Sequence, residues 1–410
     1  MNLVLFEDEG YERLLPLVWL RPAWQLRCGR DRLIDKIRTH LGARIVGALC
    51  RPELRDVVAD ELELDAREPS EPVTLVNARL LVRGDVAPPA AGAAWVCDDE
   101  ILAATVAPEA FETLDAGMFL DPRRRADWVA RLRPEGPPAE VGLIRYPWDL
   151  IGANEAELRR QCVAGGRTDG EVHPAAHLLN PGEIHVGAGT RIGPGVVLDA
   201  EQGPIHIDTG VRIEPHVVVQ GPCFIGRDSI VRAGAVLREA MSIGPVCRVG
   251  GECAASIFQG YANKQHDGFL GHSFVACWVN IGADTVTSDL KNTYGTIRVA
   301  INGEPVESGQ RFVGSCIGDH SKTGIGTILP TGCVIGVASN VFTQAGVPKF
   351  VPSFAWLTMD GMTHYRVDKA IEIARTVMSR RECDLTDAQA ALLRTVADQA
   401  RAVEAAGWGK

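Results

Sequence analysis

One large aliphatic residue recurs every six positions in the middle of the chain, and this spacing constrains the fold more than any other feature. The series within residues 184–255 runs Ile207, Ile213, Val219, Ile225, Val231, Leu237, Ile243, Val249 and Ala255. Upstream, Val186, Ile192 and Leu198 keep the same spacing, with three residues inserted before Ile207. A period of six fits neither an α-helix nor the alternation of an ordinary strand. It is typical of a hexapeptide-repeat β-helix, in which three short strands form one triangular coil.

Glycine often follows the repeating aliphatic residue, as in Ile192-Gly193, Ile225-Gly226 and Ile243-Gly244. The aliphatic side chains would fill the interior of such a column, and glycine would permit the tight corner between two faces. Successive coils would then stack at sheet spacing, roughly 4.8 Å apart. A glycine-rich β-sandwich with accidental spacing is the alternative, and the length of the run of sixes argues against it.

The composition limits the classes of protein and of partner. A chain of 410 residues predicts two or three domains. The net charge of −10, without a basic block, argues against nucleic acid as the main partner. No apolar run approaches the length of a membrane span, and the acidic Glu7-Asp8-Glu9 follows the first strand too closely for a signal peptide. Eleven scattered cysteines without a C-x-x-C pair favour reduced thiols in a cytoplasmic protein.

Residues 1–165 alternate between strand-like and helix-like segments, which predicts an α/β domain with a largely parallel sheet. The predicted strands are Leu3–Phe6, Ala43–Cys50, Val73–Val82 and Ile101–Val106. The predicted helices are Leu33–Leu41, Pro108–Leu114, Arg123–Leu132 and Asn154–Ala164. Gly165-Gly166 then marks the expected boundary with the column.

The predicted column covers residues 172–350 and is interrupted between Ser256 and Ala276, where the period of six disappears. After a second irregular stretch, Ser288–Gln310, the period resumes at Ile317, Thr323, Leu329, Ile335, Val341 and Val347. Insertions in repeat proteins form loops on one face, which is often the binding face. Residues 351–410 form a helical extension with a predicted capping box at Thr386–Gln389, and its helices are expected to cap the end of the column.

Two motifs in the second half resemble the acetyltransferase half of GlmU-type bifunctional enzymes: His266–Gly271 and Val279–Ala283. The whole chain resembles shortened bacterial relatives of these enzymes that are classed as sugar nucleotidyltransferases. The segments that carry this wider resemblance are Leu3–Glu9, Leu14–Leu17, Arg21-Pro22, Tyr146–Leu150, Leu270–Thr285, Gly318–Lys322 and Pro348–Ser353. The resemblance implies a left-handed β-helix, a homotrimer, and acyl-CoA bound in grooves between subunits.

The same resemblance implies that His266 is the catalytic base, since it matches the family's catalytic histidine. Transfer of an acetyl group to a sugar amine requires a neutral amine, and an imidazole titrates in the range that suits this task. Asn280 matches the family asparagine that would steady the acceptor or the developing oxyanion. From the sequence alone, His266 can also be interpreted as a polar loop residue without a catalytic role.

Four further residues are predicted to bind the substrate of the column. Arg232 matches an arginine of the family and would hold a sugar phosphate with its guanidinium fork. Lys264 would add a point charge nearby, and Asn263 is grouped with it. Phe269 stands where the family usually has a tyrosine, which removes a hydroxyl from the expected acceptor site. Metal binding by the column is not expected, because no pair of its histidines has the spacing of the related zinc enzymes.

The first domain lacks the Gly-rich loop with which nucleotidyltransferases hold a nucleoside triphosphate. Its first strand is followed by Phe6-Glu-Asp-Glu-Gly10 instead. Phosphate contacts are therefore assigned to Arg21, Arg27 and Arg30, and Asp85 is the weakly supported candidate for holding Mg²⁺. A degenerate sugar-nucleotide-binding domain is the alternative.

Together these observations predict an acetyl- or acyl-CoA-dependent transferase that acts on a sugar phosphate or nucleotide sugar, joined to a reduced nucleotidyltransferase-like domain that would use Mg²⁺ if active. The alternative is a non-catalytic trimeric scaffold or a regulator that binds sugar nucleotides. The broken repeat around His266 favours the enzyme, because a pure scaffold has no use for such a break.

Overall fold

A computed structural model of the chain describes residues 2–42, 44–62, 71–162, 165–343 and 345–408. The described residues form two compact units. The first unit lies within residues 1–14, 18–26 and 31–146, and the second within residues 15–17, 27–30 and 147–410. No helix of the described ranges is both long and apolar enough to cross a membrane.

The first unit is the predicted α/β domain. Its strands, together with the short β2 of the second unit, are β1 Asn2–Phe6, β2 Arg27–Cys28, β3 Asp31–Arg32, β4 Arg44–Leu49, β5 Val73–Asn77, β6 Leu80–Val82, β7 Ala93–Cys97, β8 Glu100–Val106, β9 Arg133–Glu135 and β10 Val141–Leu143. Its helices are α1 Leu33–Leu41, α2 Arg55–Leu62, α3 Pro108–Phe111, α4 Ala116–Leu120 and α5 Pro122–Val129. The main sheet has the order β4-β1-β5-β8-β7-β9.

This sheet is mixed, which corrects the prediction of a largely parallel one. β1 pairs in parallel with β4 and β5, whereas β8 runs antiparallel to both β5 and β7. The turn between β7 and β8 is short, and a short turn can join only antiparallel neighbours. The predicted helix at Leu33–Leu41 is confirmed at both ends. Of the strand predicted at Ala43–Cys50, Ala43 lies outside the described residues and Arg44–Leu49 is β4.

The second unit contains the predicted column, a parallel β-helix with three faces. Face A consists of Ile184–Val186, Ile205–Ile207, Cys223–Ile225, Met241–Ile243, Ile257–Phe258, Phe274–Val275, Ser315–Ile317, Cys333–Ile335 and Phe350–Val351. Face B consists of Glu171–Val172, Arg191–Ile192, Arg212–Ile213, Ile230–Val231, Arg248–Val249, Asn263–Lys264, Lys322–Thr323, Asn340–Phe342, Ala355–Thr358 and Gly361–His364. Face C consists of His177–Leu179, Val197–Asp199, Val218–Gln220, Val236–Arg238, Glu252–Ala254 and Leu270–Gly271, followed by Val286–Thr287 and Ile328–Leu329. The predicted fold class, an α/β domain with a hexapeptide-repeat helix of the left-handed type and C-terminal helices, is confirmed.

The period-six residues fill the interior of the column, as predicted. The residues from Ile207 to Val249 in that series are all buried and belong to one continuous hydrophobic cluster. Ala255 is the exception, because Cys253 takes the interior position of that coil. The repeat shortens there, so the expected position falls on a corner. Burial of aliphatic side chains along the column supplies its main stabilising term.

The predicted interruption between Ser256 and Ala276 is much smaller than the sequence suggests. Strands of all three faces continue through it, and Asn280 links Asn263 to Lys322 by single bridges on face B. Only residues 265–269 leave the regular path, at the edge between faces B and C. The apparent break arises because Lys264 occupies an interior position that aliphatic residues occupy elsewhere. A longer excursion, which contains the antiparallel hairpin Arg298–Ile301 and Glu304–Glu307, leaves the edge between faces C and A.

Three longer helices pack with the column: α6 Pro147–Gln161, α7 Val367–Ser379 and α8 Asp387–Val403. Helix α6 packs on the column, where the Asn154 amide donates to the Ala240 carbonyl at 2.6 Å. The boundary between the two units therefore lies near residue 146. The helix predicted at Asn154–Ala164 ends at Gln161, and residues 163 and 164 lie outside the described residues. The capping box at Thr386 is confirmed.

The C-terminal helices do more than cover the end of the column. After α8, the buried Glu404 accepts hydrogen bonds from the backbone N–H and the hydroxyl of Ser353, near the last strand of face A. At the end of α7, however, Arg381 donates to the side-chain oxygen of Asn263 at 3.2 Å. Since Asn263 lies in the middle of face B, α7 reaches the part of the column that carries the predicted site.

Candidate functional site

The loop 265–269 presents His266 at the edge between faces B and C. His266 is exposed, and no described residue forms a hydrogen bond with its imidazole. The loop itself is held by the next coil, because Asp267 and Phe269 accept backbone hydrogen bonds from Asp284 and Thr287 at 3.0 and 2.9 Å. His266 is therefore an accessible imidazole on a fixed backbone.

Lys264 fixes this backbone from inside the column. Its side chain is only 1 % exposed, and its ammonium donates to the carbonyls of Gly250 and His266, both at 2.9 Å. Burial lowers the pKa of Lys264, although the carboxylates of Asp267 and Asp284 act in the opposite direction. This geometry differs from the predicted role: the ammonium points at backbone carbonyls and is not a point charge for a ligand.

Gly251 makes room for that arrangement. Its φ is +68°, and a Cβ atom there would lie 2.9 Å from the His266 carbonyl oxygen and 3.0 Å from the Lys264 nitrogen. A larger residue would therefore both strain the backbone and displace the pair. Gly251, the buried ammonium of Lys264 and the loop 265–269 together hold His266 in position.

Asn263 and Asn280 stack on face B beside this loop. An isolated bridge aligns the two asparagines, and both line a cleft of about 240 Å³. Gln265, the neighbour of His266, lines the same cleft. The structure thus brings the predicted Asn280 and Asn263 together and places the His266 loop next to them.

Arg232 lies near the cleft but is already engaged. Its guanidinium donates to Glu214 at 3.1 Å and to the side-chain oxygen of Gln265 at 2.5 Å. Although burial raises the pKa of Glu214, the Ala233 N–H and the charges of Arg232 and Arg212 lower it overall. The predicted phosphate-holding role of Arg232 would require it to leave this carboxylate. Phe269, the other predicted substrate residue, lies with its ring centroid 6.0 Å from the Arg238 guanidinium.

The cleft also contains four cations that the sequence analysis did not select: Arg248, Lys322, Arg380 and Arg381. Arg248 and Lys322 belong to the same ladder of face B as Asn263 and Asn280, and the two arginines follow α7. The register of face B could have revealed the first pair, because residues one coil apart share a face. The second pair is remote in sequence, so no local pattern connects it to the column.

A second and larger cleft, of about 740 Å³, follows the edge between faces C and A. His272 lines it, and the Nδ1 atom of His272 lies 2.8 Å from a carboxylate oxygen of Asp289. The ring of His272 stacks on Phe312 with centroids 4.9 Å apart. A histidine oriented by a carboxylate has the geometry of a base, although none of the predicted site residues lines this cleft.

In the α/β unit, the three acidic residues after β1 each bind a buried arginine. Glu7 accepts from Arg51 at 3.1 Å, Asp8 from Arg79 at 2.7 Å, and Glu9 from Arg125 at 2.6 Å. These carboxylates stand where nucleotidyltransferases have a Gly-rich loop. The position that would cradle phosphates therefore holds carboxylates that are already paired with arginines.

The residues predicted to bind the nucleotide have other contacts. Arg21 is buried, and its carbonyl accepts from Arg51 at 3.4 Å. Arg27 and Arg30 cluster with the column unit, where the Arg27 N–H donates to Gln259 at 3.0 Å and the Arg30 N–H to Gln161 at 2.8 Å.

The side chain of Asp85 is 90 % exposed, and a carboxylate oxygen lies 2.8 Å from Nδ1 of His40. Within the part of the chain that the structure describes, no three His, Cys, Asp or Glu side chains are arranged to hold a metal ion. These residues therefore do not fit a resident Mg²⁺.

The chain thus joins an α/β domain to a hexapeptide-repeat β-helix with a histidine-bearing loop. Residues 3–166 match the family model described as sugar nucleotidyl transferase. The bifunctional sugar-1-phosphate nucleotidylyltransferase/acetyltransferase of Sulfurisphaera tokodaii is 29% identical over 126 residues, which cover 31% of this chain and 30% of that protein. The bifunctional protein GlmU of Synechococcus sp. strain CC9311 is 27% identical over 201 residues, covering 48% of this chain and 37% of GlmU. The predicted resemblance to GlmU-type enzymes is thereby confirmed, although the chain spans well under half the length of these relatives.

Two solved structures of UDP-N-acetylglucosamine acyltransferases also show a likeness to this chain. The Arabidopsis enzyme is 14% identical, with 52% of this chain and 79% of that chain covered and a TM-score of 0.28. A second acyltransferase is 17% identical, with 51% of this chain and 76% of that chain covered and a TM-score of 0.23. Both TM-scores lie below 0.5, so these likenesses support no conclusion about the activity.

Proposed function

We propose that the column transfers an acyl group from acyl-CoA to the amine of a sugar that carries a phosphate or a nucleotide, with His266 as the general base. The observation that carries this proposal is the positioning of His266: a buried lysine holds its carbonyl, and the stacked amides of Asn263 and Asn280 line the adjacent cleft. The name of the Sulfurisphaera tokodaii relative, which combines a sugar 1-phosphate with acetyl transfer, supports the acceptor class and the transferred group.

Each residue has a distinct task in this mechanism. The His266 imidazole accepts a proton from the sugar amine as the nitrogen attacks the thioester carbonyl. Asn280 donates its amide to the acceptor or to the oxyanion that forms. The thiolate of CoA leaves and takes up a proton. Lys264 acts only through the backbone, as a positioning residue.

The remaining predictions belong to the same proposal. A homotrimer would place acyl-CoA between neighbouring columns, and the location is proposed to be cytoplasmic. In the α/β domain we propose at most nucleotide binding, with Arg21 and Asp85 as the candidate residues. Mg²⁺ would then arrive with the phosphates of the nucleotide, since the described residues form no metal cluster.

The test is acetyl transfer from acetyl-CoA to glucosamine 1-phosphate or to a uridine-diphosphate-linked amino sugar, followed by mass spectrometry. Replacement His266→Gln should lower kcat by about 10²–10⁴-fold with little change in KM, which is the usual contribution of a positioned base. His216 offers a matched control, because it is an exposed histidine on the same edge of the column. His216→Gln should leave the rate unchanged.

Full activity of the His266→Gln variant would contradict the assigned base. Loss of activity in His272→Gln instead would assign the catalytic base to His272 in the larger cleft, where Asp289 orients that histidine. No transfer by the wild-type protein to any amino sugar would leave the non-catalytic sugar-nucleotide-binding protein as the better interpretation.

A further inference from the structure

Within the described part of the chain, the four cations of the smaller cleft have no carboxylate partner. Among the residues that the structure describes, neither Arg248, Arg380, Arg381 nor Lys322 forms an ion pair. Arg381 donates to the neutral amide oxygen of Asn263, and Lys322 donates to the His320 carbonyl at 2.8 Å. The cleft therefore concentrates positive charge that the protein does not neutralise.

Other arginines of the same face are neutralised by the fold. Arg212 lies 2.6 Å from Glu214, and Arg232 shares that carboxylate at 3.1 Å. Arg191 likewise pairs with Glu171 at 3.3 Å. Among the described residues, these ion pairs end before the coil that contains Arg248. Arginines without a carboxylate partner therefore begin where the cleft begins.

The pKa values of two of these arginines are lowered, first by burial and then by neighbouring cations. Burial together with the charges of Arg232 and Arg380 lowers the pKa of Arg248. Burial together with the charges of Arg248 and Arg380 lowers the pKa of Arg381. Like charges that line one cleft repel one another, and an anion bound among them would relieve that repulsion.

We propose that this cleft binds a diphosphate group, with Arg248, Arg380 and Arg381 as the main ligands and Lys322 as an additional charge. Guanidinium groups match phosphate oxygens in bidentate pairs, and several such pairs need more than one phosphate. The side-chain amides of Gln265 and Asn280 supply neutral donors at the same site. Helix α7 thereby contributes to ligand binding, a role that no local motif of the sequence indicates.

The size of the cleft limits what it encloses. Its volume of about 240 Å³ is smaller than the roughly 300–1,000 Å³ of a site that surrounds a whole drug-sized ligand. The diphosphate would be enclosed, and the rest of the ligand would extend along face B. A nucleotide-linked sugar and coenzyme A both carry a diphosphate, and competition distinguishes these two sources. Diphosphate binding can be measured without an acyl donor. A failure of acyl transfer would therefore leave this proposal standing.

The experiment is isothermal titration of the full chain with inorganic pyrophosphate and, separately, with inorganic phosphate. We expect pyrophosphate to bind at least tenfold more tightly, with an affinity that falls steeply as salt is added. Arg248→Gln and the double variant Arg380→Gln/Arg381→Gln should each lose at least tenfold in affinity. The matched control is Arg375→Gln, which removes an exposed arginine of the same helix and should leave the affinity unchanged.

Uridine diphosphate and coenzyme A then compete for the bound pyrophosphate. Stronger displacement by either one supports the proposal and identifies the source of the diphosphate. Equal affinities for phosphate and pyrophosphate, equal losses in Arg375→Gln and the cleft variants, or no displacement by either competitor would overturn it. Circular dichroism of each variant shows whether the fold is retained. Because Arg248→Gln and the double variant change different elements, misfolding of one variant leaves the other to test the proposal.

Discussion

The two units surround their arginines differently: Arg51 and Arg79 of the α/β unit are buried and paired with carboxylates, whereas those of the column cleft are partly or fully exposed. In the α/β unit, Glu7 raises the pKa of the buried Arg51 even though burial acts to lower it. In the cleft of the column, burial and neighbouring cations lower the pKa of Arg248 and Arg381. Paired charges of the first kind stabilise the fold, whereas the cations of the second kind are the proposed ligands of a diphosphate.

The α/β unit pairs its arginines with carboxylates at a further position. Glu100 illustrates it: although burial raises its pKa, Arg79, Arg145 and Arg13 lower that pKa to about 2. Its arginine partners are therefore occupied by carboxylates and are not available for a nucleotide. The cations without a carboxylate partner that line the proposed diphosphate site lie instead on and beside face B of the column.

The largest expected effect comes from breaking a charge pair of the α/β unit. Arg79→Met removes the partner of the buried Asp8, and both side chains are at most 2 % exposed. An uncompensated buried carboxylate costs about 3–5 kcal/mol, which urea unfolding would measure as a lower transition midpoint. The control Arg133→Gln breaks an exposed pair with Glu135 and should change the free energy of unfolding by at most about 1 kcal/mol. An Arg79→Met variant as stable as the wild type would show that these ion pairs do not stabilise the α/β unit.

A smaller effect is expected from pH in the cleft. Burial lowers the pKa of Lys322 to about 8, so its ammonium is charged below that pH and neutral above it. Pyrophosphate affinity should be highest below pH 8 and fall by about tenfold as the pH rises through that value, since one charge-assisted contact contributes on the order of 1.5–3 kcal/mol. Of the other groups that line the cleft, Tyr261 has its pKa raised by burial, and a guanidinium does not lose its proton in this pH range.

The control for this titration is Lys322→Met, which removes the lysine and leaves the ionisation of pyrophosphate itself unchanged. The difference between the two pH profiles isolates the lysine. Parallel profiles would exclude Lys322 from the site and would leave the three arginines as its ligands.

Local patterns predicted much of this molecule, and non-local contacts account for the rest. The spacing of residues such as Ile213 and Val231 predicted the column because a period of six fits a three-faced coil. The interior position of Lys264 escaped the pattern, since a lysine interrupts an aliphatic series without interrupting the strand. Resemblance led to Asn280, whereas Arg380 and Arg381 reach the cleft only through the packing of α7, which no sequence period encodes.

Urea unfolding of the wild type and of Arg248→Gln, each with and without pyrophosphate, tests the central claim most directly. The claim is that the cleft cations are retained for a ligand and do not stabilise the fold. We predict that Arg248→Gln is at least as stable as the wild type without ligand, because one source of repulsion is gone, and that pyrophosphate stabilises only the wild type appreciably. A variant that loses more than about 1 kcal/mol without ligand, a typical cost of losing a structural contact, or that gains as much stability from pyrophosphate as the wild type, would contradict the account.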